Sequence, residues 1–115
     1  MMRKISELER ILIEGVSEKM SPGDASKLLA DMVVASATDV SLDGSRVIFS
    51  LEGYESPVYD GQHQFPVEIR LLDSDAGELT AVLYADSNGR LYELELIRWD
   101  GKPLVSPDLA TLKFY

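Results

Sequence analysis

Glu78-Leu-Thr-Ala-Val-Leu-Tyr-Ala-Asp-Ser-Asn-Gly-Arg-Leu-Tyr-Glu-Leu-Glu-Leu-Ile-Arg-Trp99 reads as two strands joined by a tight turn. Apolar and polar residues alternate on either side of Asn88-Gly89, and both turn residues tolerate the left-handed backbone of a type I′ hairpin. That turn sets a register. Leu83 faces Leu94 and Ala81 faces Leu96 on one side of the sheet. The other side receives Tyr84 beside Glu93, Val82 beside Glu95, Thr80 beside Ile97 and Glu78 beside Trp99. A one-residue slip would exchange the two sides, so alternation and turn support the same pairing.

The pattern extends toward the N-terminus. Residues 67–73 read as a further strand, joined through Asp75-Ala76-Gly77 with Gly77 in the left-handed position. This places Val67, Ile69 and Leu71 on the side of Ala81 and Leu83. Asp43-Gly44 predicts a two-residue hairpin between strands 33–41 and 46–51, setting Val40 against Val47, Thr38 against Phe49 and Ser36 against Leu51. Before residue 33 the period is helical. Ser6 and Glu9 form a capping box ahead of Leu8, Ile11, Leu12 and Val16. Ser21-Pro22-Gly23-Asp24 starts a second helix that turns Leu28, Leu29 and Met32 inward. Residues 52–66 form a long irregular segment, and residues 102–115 an ordered coil whose aromatics return to the sheet. The expected architecture is α+β, with two N-terminal helices on one face of a five-stranded antiparallel meander, in a single domain spanning 1–115.

Composition removes several kinds of chemistry. There is no cysteine, so disulfides, thiol nucleophiles and thiolate metal sites are excluded. His63 is the single histidine, which rules out a two-histidine metal site within one chain. No P-loop, dinucleotide-binding glycine pattern, EF-hand loop or nucleophile elbow is present, and no cofactor is expected. Net charge is −9, which repels phosphate backbones and argues against nucleic acid as a partner. No run approaches the ~18 apolar residues that cross a bilayer, and no signal peptide is read, so a cytoplasmic protein with no membrane partner is expected.

The charge is unevenly distributed. Residues 1–31 carry five basic and six acidic side chains, whereas residues 32–115 carry six and fourteen. No Lys or Arg lies between Arg46 and Arg70, a gap holding Glu52, Glu55, Asp60 and Glu68 with Tyr54, Tyr59 and Phe65. Carboxylates steer a basic protein and tyrosines anchor it. The first expected interface is therefore Tyr54, Glu55, Tyr59, Asp60 and His63. The second is Tyr84, Glu93, Glu95 and Trp99 on the polar side of the 78–99 hairpin, unless helices or the tail cover that side. Glu93 with Glu95, and Asp73 with Asp75, are the carboxylate pairs that acid–base or metal chemistry would need, but solvated strand and turn positions explain them.

The stretch Gly89-Arg-Leu-Tyr-Glu-Leu-Glu-Leu-Ile-Arg-Trp-Asp-Gly-Lys-Pro-Leu104 resembles the C-terminal signature of a bacterial family of unknown function. There, a strand with Glu-Leu alternation runs into an Asp-Gly turn and a Pro-Leu exit. Small acidic proteins of this build resemble the immunity proteins of contact-dependent growth inhibition and other polymorphic toxin systems. The resemblance implies a cytoplasmic antitoxin, not an enzyme, that binds and blocks the basic toxic domain of a delivered effector, often a nuclease. It carries over no catalytic residues. A generic adaptor or regulatory domain is the alternative, and a small hydrolase built around His63 ranks third.

Overall fold

The computed structural model describes residues 2–57 and 61–115. Two helices lie on one face of an eight-stranded sheet in which every pairing is antiparallel. After a short strand β1 (Arg3–Lys4), helix α1 spans Glu7–Glu18. Ser6 accepts a hydrogen bond from the Glu9 amide at 3.1 Å, and Glu9 accepts one from the Ser6 amide at 2.8 Å. Glu9 is buried and also receives Arg3, so one side chain caps the helix and fastens the strand before it. Helix α2 (Pro22–Val33) starts at the Ser21 cap with Pro22 in its first turn. No helix among the described residues is long and apolar enough to cross a membrane.

The remaining strands are β2 (Ala35–Asp39), β3 (Arg46–Leu51), β4 (His63–Gln64), β5 (Ile69–Asp73), β6 (Glu78–Ala85), β7 (Leu91–Arg98) and β8 (Pro107–Phe114). The sheet order is β1-β2-β3-β7-β6-β5-β8, with β4 beside β6. The β6–β7 register agrees with the alternation: Leu83 faces Leu94, Ala81 Leu96, Tyr84 Glu93, Val82 Glu95 and Thr80 Ile97. The turn itself is not type I′: Gly89 alone has positive φ, the Asp86 amide donates to the Arg90 carbonyl across a three-residue loop, and the register shifts between Tyr84 and Ala85.

Several expectations need correction. Among the described residues there are eight strands where five were expected, because residues 3–4, 63–64 and 107–114 also pair. The sheet is not a simple meander. Strand β3 pairs with β7, and β5 takes β8 on its free side, so the tail is an edge strand and not a coil. The 43–44 turn is longer than two residues. Gly44 donates to the Ser41 carbonyl and alone has positive φ, at +75°, which shifts the pairing to Ala37 with Phe49 and Ala35 with Leu51. Ala37 thus meets the phenyl ring on the buried side, a position Thr38 would have filled with a hydroxyl. The β5–β6 turn sits one residue earlier than expected, the Asp73 amide donating to the Gly77 carbonyl at 2.7 Å, so the pairing becomes Ile69 with Ala81 and Leu71 with Leu79. A shift of two keeps the same residues inward.

In that connection the left-handed residue is Ala76, at φ 68°, and not Gly77. Gly77 is small for a different reason: a Cβ there would lie 2.6 Å from the Arg98 guanidinium. Ala76→Gly should therefore stabilise the protein by about 0.5–1 kcal/mol, the left-handed penalty of alanine less the extra backbone entropy of glycine. Urea unfolding at unchanged m-value would measure it.

The core is the helix-covered side of the sheet. Leu12, Ile13, Val16 and Leu28 pack on Ala37, Phe49, Ile69, Leu71, Leu79, Ala81, Leu83, Leu94 and Leu96. Gly15 has a definite task there. A Cβ on it would lie 2.0 Å from the Phe114 ring, so the bare backbone of α1 is the seat for the last aromatic of β8. Leaving the opposite face of the sheet without a helix is the feature that positions the candidate site.

A candidate docking face on the uncovered side of the sheet

Strand alternation sends Glu93, Glu95, Ile97 and Trp99 to the uncovered side. On β6 it sends Thr80, Val82 and Tyr84 there, with Glu78 opposite Trp99. Ile97 is 42% exposed and Trp99 50%, on strands whose inward residues are almost fully buried. Among the described residues neither helix lies on this side, and the tail reaches it only at its border, where Lys113 and Tyr115 stand beside Trp99.

The aromatic groups are held in place. The Trp99 indole N–H donates to the Thr80 hydroxyl at 2.8 Å, and the Arg70 guanidinium lies 4.8 Å from the centre of the indole ring. The Tyr84 hydroxyl donates to Glu95 at 3.3 Å. Burial first, and then the charge of Glu95, raises the Tyr84 hydroxyl above its ordinary pKa, so it stays protonated as a donor at neutral pH.

The carboxylates differ sharply in what they can offer a partner. Glu93 is buried, and its two oxygens are taken by Arg46 and by the Gln62 amide, the latter at 3.0 Å. Glu68 is paired with Arg70 at 2.9 Å. Glu78 and Glu95 have no salt-bridge partner among the described residues. Arg46 stands opposite Glu95 in the ladder but directs its guanidinium to Glu93. The uncovered face is thus less acidic than its glutamates suggest, and its available negative charge sits on two residues. Arg46, Gln62, Tyr84, Glu93 and Glu95 enclose a polar hollow of about 460 Å³. A second hollow of about 400 Å³ lies between Trp99, Arg70, Glu78, Lys113 and Tyr115.

The loop residues lie elsewhere. The Tyr54 hydroxyl donates to Asp86 at 2.7 Å and accepts from the Asn88 amide at 3.0 Å, while Arg90 covers its ring at 4.3 Å. Arg90 in turn binds the buried Asp31 of α2. Tyr54 therefore fastens the 52–57 segment to the 86–89 turn, with its ring and hydroxyl both engaged. Glu55 is exposed beside it. His63 is exposed and pairs with Ala85 of β6. Tyr59 and Asp60 lie outside the described residues. The structure thus brings Tyr84, Glu93, Glu95 and Trp99 onto one face and leaves Tyr54 and Glu55 apart from it. Arg46 and Gln62 belong to the face but escape the sequence reading, because their contacts depend on β3 pairing with β7.

The Asp73–Asp75 pair has an occupant. Arg98 bonds to Asp73 at 2.9 Å, to Asp75 at 2.8 Å and to Asp100 at 2.8 Å. Asp73 also accepts from the amides of Ser74, Val105 and Ser106, at 3.0, 2.8 and 2.6 Å. Burial by itself raises the Asp73 carboxyl, but these amides and Arg98 outweigh it and leave the pKa lowered. All six arginines are engaged with carboxylates in this way, so the cations free of salt bridges among the described residues are lysines.

Residues 2–108 match the family model described as "Domain of unknown function (DUF6984)". No curated protein matches the chain, and no solved structure does.

Proposed function

The chain belongs to that family, whose description names no activity, and we propose from its own surface that it is a protein-binding module for a basic partner, docking through the helix-free face of its sheet. The observation that carries this reading is the exposed pair Ile97 and Trp99 flanked by the unpaired carboxylates Glu78 and Glu95. An aromatic fixed by hydrogen bonding loses little side-chain entropy when it is buried, the usual economy of an interface anchor. A net charge of −9 adds long-range attraction for a cationic surface.

In its specific form, suggested by the resemblance of residues 89–104, the role is that of a cytoplasmic immunity protein, and the partner is the basic toxic domain of a delivered effector. A nuclease groove lined with Lys and Arg would meet Glu78 and Glu95, with Glu55 contributing charge from outside the face. No catalytic role is assigned to any residue.

The test uses the C-terminal domain of an effector encoded beside this chain. The wild-type protein should form a complex whose association slows about tenfold or more between low and high salt, as screening shortens the Debye length from ~10 Å at 0.1 M to ~3 Å at 1 M. Glu78→Lys with Glu95→Lys should slow association further, whereas Ile97→Ala with Trp99→Ala should speed dissociation. Wild-type rates in both double variants would overturn the assignment of this face.

A further inference from the structure

On β6 and β7 the uncovered face carries a two-strand strip. Val82, Thr80 and Glu78 run along one strand, against Glu95, Ile97 and Trp99 on the other. The two carboxylates without salt bridges stand at opposite corners, with Thr80 and Ile97 between them and Val82 and Trp99 at the other two corners. Four residues along a strand and one strand across put their Cα atoms about 14 Å apart. Of the cations bordering the strip, Arg70 is committed to Glu68 and Arg46 to Glu93, while Lys113, across the hollow from Glu78, has no salt bridge among the described residues.

Resting on the reading above, we infer that the element seated on this strip is an amphipathic helix of the partner, with two basic side chains separated by three turns and apolar residues between them on the same face. Three considerations favour a helix. The interior of a sheet face offers no free backbone groups, so an extended segment lying on it would leave its own N–H and C=O groups unsatisfied, whereas a helix satisfies them internally. The long edge β8 is a poor template for strand addition, because its register shifts between the partners of Arg70 and Leu72. A second copy of this chain would bring glutamates against glutamates, in a molecule already at −9.

The spacing follows from helix geometry. Positions i and i+11 rise 16.5 Å and fall on one face, and long Lys or Arg stems close the small difference from ~14 Å. Apolar side chains at i+4 and i+7 then lie over Ile97 and Val82.

The experiment uses an 18-residue alanine-based peptide with Lys at i and i+11 and Leu at i+4 and i+7, its helicity verified by circular dichroism. The comparison peptide has the same composition and the same leucines, with its lysines at i and i+3. Trp99 is the only tryptophan in the chain, so its emission reports binding directly. The i, i+11 peptide should give a saturable emission change and bind about tenfold tighter than the comparison peptide. Glu78→Lys with Glu95→Lys should remove that preference. Equal binding of the two peptides, or an unchanged preference in the double variant, overturns the helix inference. The effector domain is titrated in parallel. If the double variant loses the domain while the peptides bind alike, the docking face stands and the helix falls. If this double variant and Ile97→Ala with Trp99→Ala both keep the domain at wild-type affinity, the face itself is wrong.

Discussion

Asp73→Ala is expected to destabilise the protein by about 3–5 kcal/mol, the range for removing one partner of a buried ion pair. The Asp73 side chain is fully buried, and its loss orphans more than Arg98. The amides of Val105 and Ser106 lose the acceptor that holds the 103–106 segment against the end of β5, so β8 loses its anchor as well. Chemical unfolding should show a lower midpoint, and hydrogen exchange should show β8 losing protection first. The same carboxylate gives a pH signature. Its folded-state pKa lies below the unfolded one, so its contribution is complete above about pH 4 and is lost as pH falls through the folded value. Asp100, held down to about 2 first by Arg98 and then by the Lys102 amide, acts in the same direction. Acid unfolding of wild type should therefore steepen below about pH 4, and Asp73→Ala should flatten that slope.

Gly15→Ala is the second large effect, and its sign contradicts helix propensity. Alanine inside a helix is better than glycine by about 1 kcal/mol. Here the new methyl would lie 2.0 Å from the Phe114 ring, and the ring has to leave its seat. The overpacking cost should outweigh the propensity gain, for a net loss of about 2 kcal/mol. In a Phe114→Ala background the obstacle is absent, and the same substitution should stabilise by up to about 1 kcal/mol. A double-mutant cycle measured by thermal or urea unfolding shows the reversal. Loss of the same size in both backgrounds would mean that Gly15 matters for some reason other than Phe114.

What could be read from the chain itself follows the range of each signal. The β6–β7 register was legible from eight residues of alternation on each side, although the turn between them is not the type I′ turn that Asn88-Gly89 suggests: Gly89 alone is left-handed, and a register shift between Tyr84 and Ala85 absorbs the extra loop residue. The Ser6–Glu9 cap was legible because it is complete within four residues. At residues 41–45, Asp43-Gly44 has the composition of a type I′ turn, but Gly44 alone takes the left-handed conformation, and the register moves by one. The 107–114 strand was missed because Pro103 and Pro107 read as coil signals and because its bulge interrupts the alternation. For the site, Tyr84, Glu93, Glu95 and Trp99 share a face by strand parity alone. Their different availability did not follow from parity, because Glu93 is neutralised by Arg46 from a strand 47 residues away. Tyr54 has the composition of an anchor in sequence, yet Arg90, Asp86 and Asn88 occupy it.

The seat that Gly15 provides for Phe114 has a temporal consequence. The two residues are separated by nearly the whole chain, so α1 leaves the ribosome long before the side chain that covers its bare backbone has been made. The β3–β7 pairing likewise waits for residues 93–95. Contacts this distant slow closure of the core. The bare backbone of α1 at Gly15 therefore stays without its cover until Phe114 is in place. The β5–β8 edge of the sheet forms only once residues 107–114 have emerged.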